Sequence, residues 1–90
     1  MTAINGKLTG KVQGVGFRMY IFRQAERLGL YGWVKNCPDG SIELHAQGSD
    51  VDLDYFTKLV KRGNTASIID ECIISSATAD DSYKCFEVKM

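Results

Sequence analysis

Several features that define common protein classes are missing from this sequence. No stretch approaches the roughly 20 consecutive apolar residues that a membrane-spanning helix requires. The N-terminus also lacks a charged segment followed by an apolar one, which is the pattern of a secretory signal. We therefore expect neither a membrane protein nor a secreted one.

Cysteine is scarce and irregularly placed. The chain has three cysteines, Cys37, Cys72 and Cys85, and none of them forms a Cys-x-x-Cys pair. This argues against a disulfide framework and against a zinc site made only of cysteines, although one disulfide plus one free thiol stays open. We expect a protein of the reducing cytoplasm.

An excess of charge of either sign is also absent, because 11 basic residues balance 11 acidic ones. A neutral chain gives no reason to expect nucleic acid or an anionic membrane as a partner, while a local anion site is still compatible with zero net charge. With 90 residues, of which 44% are hydrophobic, the chain is expected to fold as one domain over residues 1–90.

The periodicity of the apolar residues predicts an orderly series of strands and helices. Apolar residues alternate over residues 3–12 and 41–47, as in strands, and recur at helical spacing over 17–28 and between Ser49 and Gly63. Residues 31–36, which contain Trp33 and Val34, are predicted to form another strand, so that 31–47 make a β-hairpin. A fourth strand is predicted over 66–75, a polar loop over 76–82, and a short last strand at Phe86 and Val88.

The second helix has clear end signals. Ser49 is predicted to cap its start, with Asp52 completing a capping box, and Gly63 to end it. Its apolar stripe is expected to consist of Val51, Tyr55, Phe56, Leu59 and Val60. Gly29 is predicted to end the first helix in a left-handed conformation.

This order, βαββαβ with a small extra strand, predicts an α+β fold of the ferredoxin-like type. Right-handed crossovers place two helices on one face of a mostly antiparallel sheet, an α/β sandwich. The other face has no helix, and we expect Trp33, Lys35, Glu43 and His45 there, with His45 as a surface residue. This fold carries many functions and decides none of them.

Three glycines, Gly10, Gly14 and Gly16, are concentrated just before the first predicted helix. The start of a helix leaves about four backbone N–H groups unpaired, and a glycine-rich loop lets such groups converge on an anion. Arg18, in the first turn, could hold two phosphate oxygens. The segment lacks the Gly-Lys-Ser/Thr of a P-loop and the third glycine of a dinucleotide motif. A plain glycine-rich turn with a surface arginine is the alternative.

Asn36 ends the second predicted strand, before the turn Pro38-Asp39-Gly40. A carboxamide offers a donor and an acceptor together, which suits it to hold a water molecule. The alternative is that Asn36 caps the turn.

Taken together, the two segments closely resemble the two signatures of the acylphosphatase family. The first is Gly10-Lys-Val-Gln-Gly-Val-Gly-Phe-Arg18 and the second is Gly32-Trp-Val-Lys-Asn36-Cys-Pro-Asp39-Gly40-Ser-Ile-Glu43. The resemblance covers nearly the whole chain, including the element order and the ending Phe86-Glu-Val88. It implies an enzyme that hydrolyses the carboxyl–phosphate bond of acyl phosphates to a carboxylate and inorganic phosphate, with no metal and no cofactor.

The resemblance also implies residue roles. Arg18 is then the essential arginine that binds the substrate phosphate, together with the backbone amides of Gly14, Val15, Gly16, Phe17 and Arg18. Asn36 would orient the attacking water. We expect a monomer that binds neither nucleic acid nor membrane, and we expect Lys11 and Gln13 to be structural or peripheral.

The chain departs from the family after the second helix, where proline is common. Here Asn64 and Thr65 follow Gly63, and we expect this difference to affect stability rather than chemistry. Two alternatives stay open. An RNA-recognition module shares the element order but needs exposed aromatic residues on its central strands. The other is a non-catalytic regulatory or interaction domain of the same fold.

Overall fold

The computed structural model describes all residues, 1–90. The five strands are β1 (Thr2–Lys11), β2 (Tyr31–Asn36), β3 (Ile42–Gly48), β4 (Ile68–Ala77) and β5 (Phe86–Lys89). The two helices are α1 (Phe17–Arg27) and α2 (Asp50–Arg62). The predicted element order is therefore confirmed, with β4 displaced by two residues because residues 64–67 form a turn of their own.

The strands form one sheet in the order β4-β1-β3-β2-β5. The pairs β1–β3, β1–β4 and β2–β3 are antiparallel, and the edge strand β5 runs parallel to β2. Each helix joins two parallel strands that have a third strand between them, and both helices pack on the same face and against each other. The predicted ferredoxin-like α+β fold is confirmed.

The core lies between the two helices and the sheet. Side chains that are almost completely buried there come from α1, from α2 and from the central strands: Phe17, Ile21, Ala25, Leu53, Phe56, Val60, Leu8, Val34, Ile42 and Leu44. Full burial of an aliphatic or aromatic side chain contributes about 1.5–3 kcal/mol. This layer therefore holds both helix α1 and strand β2 in place.

The ends of the helices match the sequence signals. The Ser49 side chain accepts a hydrogen bond from the Asp52 backbone N–H at 3.2 Å, as a capping residue does. Gly29, two residues after the end of α1, has φ +70°, the left-handed conformation predicted for it.

The predicted apolar stripe of α2 is wrong at two positions. Val51 and Tyr55 are 78% and 50% exposed, whereas Leu53, which the prediction omitted, is buried. At about 100° per residue, Val51 lies about 140° around the helix from Phe56, and Tyr55 about 100° from it. Leu53 lies three residues before Phe56 and so shares its face.

His45 is also not the surface residue that was expected. It is only 6% exposed, because the loop between β4 and β5 crosses the helix-free face of the sheet and covers it. The rings of Trp33 and Tyr83 lie beside its imidazole, with centroids 6.5 and 5.1 Å away. The fully buried Gln47 fixes the loop by exchanging hydrogen bonds of 2.8 and 2.9 Å with the backbone of Asp80. Part of this face is therefore closed.

Candidate active site

The connection between β1 and α1, residues 12–16, is here called the cradle loop. Gly14 and Gly16 have φ of +73° and +75°, and Val15 between them has a negative φ. Glycine adopts positive φ without a steric penalty. Alternation of this kind makes successive backbone N–H groups face one concavity, an arrangement that binds anions.

Helix α1 begins without a side-chain cap. Its N-cap residue is Gly16, and no acidic residue lies in its first turn. No backbone N–H group from Gly14 to Met19 donates to another backbone group. Unpaired N–H groups and the positive end of the helix dipole therefore point into the same space.

Arg18 lies in the first turn of α1, half-buried at the edge of this space. One guanidinium nitrogen, Nη1, donates to the Lys89 carbonyl at the end of β5, at 3.4 Å. A hydrogen bond this long is weak, and no acidic side chain forms an ion pair with Arg18. Most of its donors are thus available to an anion.

Asn36 is the last residue of β2, and its side chain lies on the helix side of the sheet. Its Oδ1 atom is buried and accepts no hydrogen bond. A buried acceptor without a partner costs about 1–3 kcal/mol, so this atom is suited to receive a hydrogen bond from a molecule beside it.

These groups line one cleft of about 220 Å³: Gly14, Gly16, Phe17, Arg18 and Asn36, together with Val12 and Met19. Of the residues predicted for the site, only Val15 does not line it. The side chain of Val15 packs against the core and its carbonyl points away from the cleft.

The alternative for Asn36, that it caps the turn, is wrong. Asp39 has this role, because its Oδ1 accepts hydrogen bonds from the Ser41 backbone N–H at 2.9 Å and from the Ser41 hydroxyl at 2.5 Å. These hydrogen bonds, with the Lys7 ammonium 3.2 Å away, lower the pKa of Asp39 from its ordinary value of 3.8 to about 2. The turn is thus stabilised without using Asn36.

Gln13 joins the cradle loop to the hairpin that carries Asn36. Its Nε2 donates to the carbonyls of Cys37 and Ser41, each at 2.8 Å. The prediction that Gln13 is structural is confirmed, and its place in the structure adds that it connects the two halves of the site.

A second side chain that bonds to the cradle loop was not predicted from the sequence. Asn64, after the end of α2, donates from Nδ2 to the Val15 carbonyl at 2.9 Å. The two residues are 49 positions apart, and the sequence offered only the unusual asparagine after Gly63 as a signal.

A larger depression, of about 250 Å³, lies on the helix-free face between Asn5, Lys7, Trp33, Glu43, Ile73 and Ser75. It contains no helix start and no unpaired buried acceptor, so the smaller cleft is the better candidate for chemistry.

No three His, Cys, Asp or Glu side chains are grouped so that they could hold a metal ion. Neither of the two helices has the length and apolar character needed to cross a membrane.

The three cysteines are free thiols. Cys85 is exposed, while Cys37 and Cys72 are half-buried. Burial raises the pKa of the Cys72 thiol, which disfavours the reactive thiolate.

Comparison with known proteins gives matches over nearly the whole chain. The model of a protein family described as Acylphosphatase matches residues 4–88. The acylphosphatase of Archaeoglobus fulgidus is 39% identical over 88 residues, which are 98% of each chain. The crystal structure of acylphosphatase from Bacillus subtilis superposes with a TM-score of 0.94 at 31% identity, over 100% of both chains.

A further likeness is to a segment of a much larger protein. Full-length HypF, in a phosphate- and nucleotide-bound form, gives a TM-score of 0.90 at 30% identity, and the match covers 99% of this chain but 12% of that one. The family model, the relative matched over nearly its whole length and the shared fold all agree that this chain belongs to the acylphosphatase family of enzymes.

Proposed function

We propose that the protein hydrolyses the carboxyl–phosphate bond of acyl phosphates, without metal or cofactor, to a carboxylate and inorganic phosphate. One observation carries this proposal. The residues that line one cleft bring together unpaired N–H groups, the Arg18 guanidinium and the buried acceptor Asn36 Oδ1. The unpaired N–H groups are those of Gly14, Gly16, Phe17, Arg18 and Met19.

In this proposal the phosphoryl group lies in the cradle loop. The amides of Gly14, Val15, Gly16, Phe17 and Arg18 donate to its oxygens, and the Arg18 guanidinium neutralises its charge. Phosphoryl transfer passes through a loose transition state, so positioning and charge stabilisation supply most of the catalysis. Donors fixed before the reaction are well suited to this, because they need no reorganisation as charge develops.

Asn36 is proposed to hold the attacking water by accepting its hydrogen bond at Oδ1. The water oxygen forms the new bond to phosphorus while the bond from phosphorus to the carboxyl oxygen breaks. No carboxylate or imidazole lines the cleft, and His45 is bonded to Asn5 and Gln47 on the other face of the sheet. The water's proton therefore passes to a phosphate oxygen.

The departing group needs no acid. A carboxylate is a weak base, so it leaves with the bonding electron pair unprotonated. This explains a site that combines one fixed cation with neutral donors and contains no second titratable side chain.

We also propose that residues 1–90 act as one acylphosphatase-like domain that is monomeric and cytoplasmic. Its substrate is a small acyl phosphate, and it binds neither nucleic acid nor membrane. The zero net charge supports the last two points.

The second candidate is a non-catalytic regulatory or interaction domain. The likeness to a segment of HypF favours it, because that segment is 12% of a longer chain. Such a domain would bind phosphate in the same cleft and release no product.

The deciding experiment measures inorganic phosphate released from benzoyl phosphate by the purified protein, with and without a chelator. We expect hydrolysis at the same rate in both conditions. Phosphate binding without hydrolysis would support the non-catalytic alternative, and loss of activity in the chelator would contradict the metal-free mechanism.

A further inference from the structure

We infer that Asn64 is a positioning residue for the cradle loop, which holds the Val15 carbonyl and thereby turns the Gly16 N–H toward the bound phosphate. The inference rests on the proposed function, because it assigns a role within the same anion site. It goes beyond the two sequence signatures, since Asn64 belongs to neither.

The orientation of the Asn64 carboxamide is fixed by its partners. Nδ2 donates to the Val15 carbonyl at 2.9 Å, and Oδ1 accepts from the Ser67 backbone N–H at 2.9 Å. An acceptor on one side and a donor on the other leave a single assignment of oxygen and nitrogen. Two more hydrogen bonds, each 3.1 Å, join the Asn64 backbone to the Ser67 hydroxyl. Ser67 therefore fixes the Asn64 side chain on one side, and the side chain bonds to the cradle loop on the other.

The geometry of one peptide connects this contact to the cleft. Every peptide bond in the chain is trans, and in a planar trans peptide the C=O and the following N–H point in opposite directions. The Val15 carbonyl points at Asn64, so the Gly16 N–H points away from it. Gly16 lines the cleft and Asn64 does not, which places this N–H on the cleft side.

Without this contact the peptide has an alternative orientation. Gly16 accepts both signs of φ, so the Val15–Gly16 peptide could turn over and direct a carbonyl oxygen at the phosphate. A hydrogen bond of typical net strength changes the ratio of two such states about fivefold. Asn64 therefore selects the orientation that binds an anion.

The asparagine after α2 stands where proline is common in the family. Proline has no side-chain donor and could not bond to the Val15 carbonyl. The asparagine, expected from sequence to affect stability rather than chemistry, contacts the backbone of the site directly.

Three variants test the inference. Asn64→Asp keeps the acceptor for Ser67 but loses the donor toward Val15, and Asn64→Ala loses both without adding charge. Ser67→Ala is the matched control, because it removes the hydroxyl bonds of the turn and leaves both Asn64 side-chain bonds in place. For each variant, we measure the inhibition constant of inorganic phosphate, kcat and KM for benzoyl phosphate, the midpoint of thermal unfolding, and the phosphate-induced shift of the Gly16 amide in ¹⁵N NMR spectra.

We expect Asn64→Ala and Asn64→Asp to raise the phosphate inhibition constant and KM about 5- to 10-fold with kcat nearly unchanged, which is the pattern of lost ground-state binding. The Gly16 shift should shrink in both. Ser67→Ala should lower the unfolding midpoint and leave phosphate binding as in the wild type.

Two results would overturn the inference. If Asn64→Ala binds phosphate normally and only Asn64→Asp is impaired, the effect is charge repulsion. If Ser67→Ala weakens phosphate binding as much as Asn64→Ala, the effect is turn stability. In both cases the proposed function stands. The proposed function fails if the wild-type protein does not hydrolyse benzoyl phosphate, and the inference fails with it if the wild-type protein also does not bind phosphate.

Discussion

At the scale of single residues, Arg18 is the only charged side chain that lines the cleft. We expect Arg18→Ala to lower kcat/KM for benzoyl phosphate by more than about 10³-fold, the usual worth of an arginine that stabilises a transferring phosphoryl group. It should also abolish inhibition by phosphate, because no other cation lines the cleft. Arg18→Lys should recover only part of the loss, since a lysine lacks the planar fork that holds two oxygens. Initial rates and inhibition constants measure both effects.

Arg23→Ala is the matched control for Arg18. Arg23 lies on the same helix, is exposed, and is absent from the cleft. We expect it to have wild-type kinetics. An Arg18→Ala protein that hydrolyses benzoyl phosphate at a near-normal rate would show that the site has been placed wrongly.

We expect a substitution of Asn36 to lower turnover much more than phosphate binding. Asn36→Ala should lower kcat by about 10²–10³-fold, the usual cost of one preorganised hydrogen-bonding group, and change the phosphate inhibition constant little. Its free energy of unfolding should change little, because no protein group bonds to the buried Oδ1. Urea unfolding and steady-state kinetics test this together. Loss of phosphate binding equal to that of Arg18→Ala would contradict the role given to Asn36.

At the scale of elements, Gln13 couples the cradle loop to the β2–β3 hairpin. Gln13→Glu places an acceptor against the Cys37 and Ser41 carbonyls, so we expect about 1–3 kcal/mol less stability and about a tenfold lower kcat/KM. Gln24→Glu on α1 is the control, because its Oε1 accepts from Arg27 and a carboxylate keeps that contact. Equal kinetics for both variants would show that the hairpin is positioned without Gln13.

The sheet predicts a contrast between two glycines of positive φ. A Cβ at Gly32 would lie 1.9 Å from the His45 carbonyl oxygen, whereas one at Gly40 would meet nothing within 4 Å. Gly40→Ala should therefore be destabilised only by the backbone strain of an alanine at positive φ, about 1–2 kcal/mol. Gly32→Ala should separate β2 from β3 and prevent folding. Circular dichroism and thermal unfolding measure the difference, and a stable Gly32→Ala protein would refute this pairing.

The elements themselves were predictable because periodicity and end signals are local. The Ser49 cap, the left-handed Gly29 and the inward face Ile42, Leu44 and Ala46 follow from spacing alone. The burial of His45 does not follow from spacing, because it depends on the loop between β4 and β5. Gln47 holds that loop by a hydrogen bond to Asp80, 33 positions along the chain. The cleft was predictable at Arg18 and Asn36, which lie in contiguous motifs, but not at Asn64, whose role depends on where the end of α2 meets the cradle loop.

At the scale of the whole molecule, folding stability should depend on pH through Asp39 and Asp80. Hydrogen bonds from Ser41, and then Lys7, hold the pKa of Asp39 at about 2, and the hydrogen bond from the Ser82 backbone lowers that of Asp80. A carboxyl group whose pKa is lower in the folded state stabilises it above about pH 4 and loses that effect as the pH falls toward 2.

We therefore expect Asp39→Asn to unfold at lower urea concentration than the wild type at pH 6, and the difference to narrow by pH 2. Asp81→Asn is the control, because Asp81 has neither a hydrogen bond nor an ion pair and should match the wild type throughout. A difference that stays constant from pH 6 to pH 2 would show that the effect of Asp39 is not electrostatic.

A crystal structure of the protein grown with phosphate would show directly whether the cleft is an anion site. We predict a phosphate in the cleft, with its oxygens bonded to the Arg18 guanidinium and to the backbone N–H groups between Gly14 and Arg18, and a water molecule on Asn36 Oδ1. A phosphate bound only elsewhere, for example on the lysines of the helix-free face, with none in the cleft, would contradict the account.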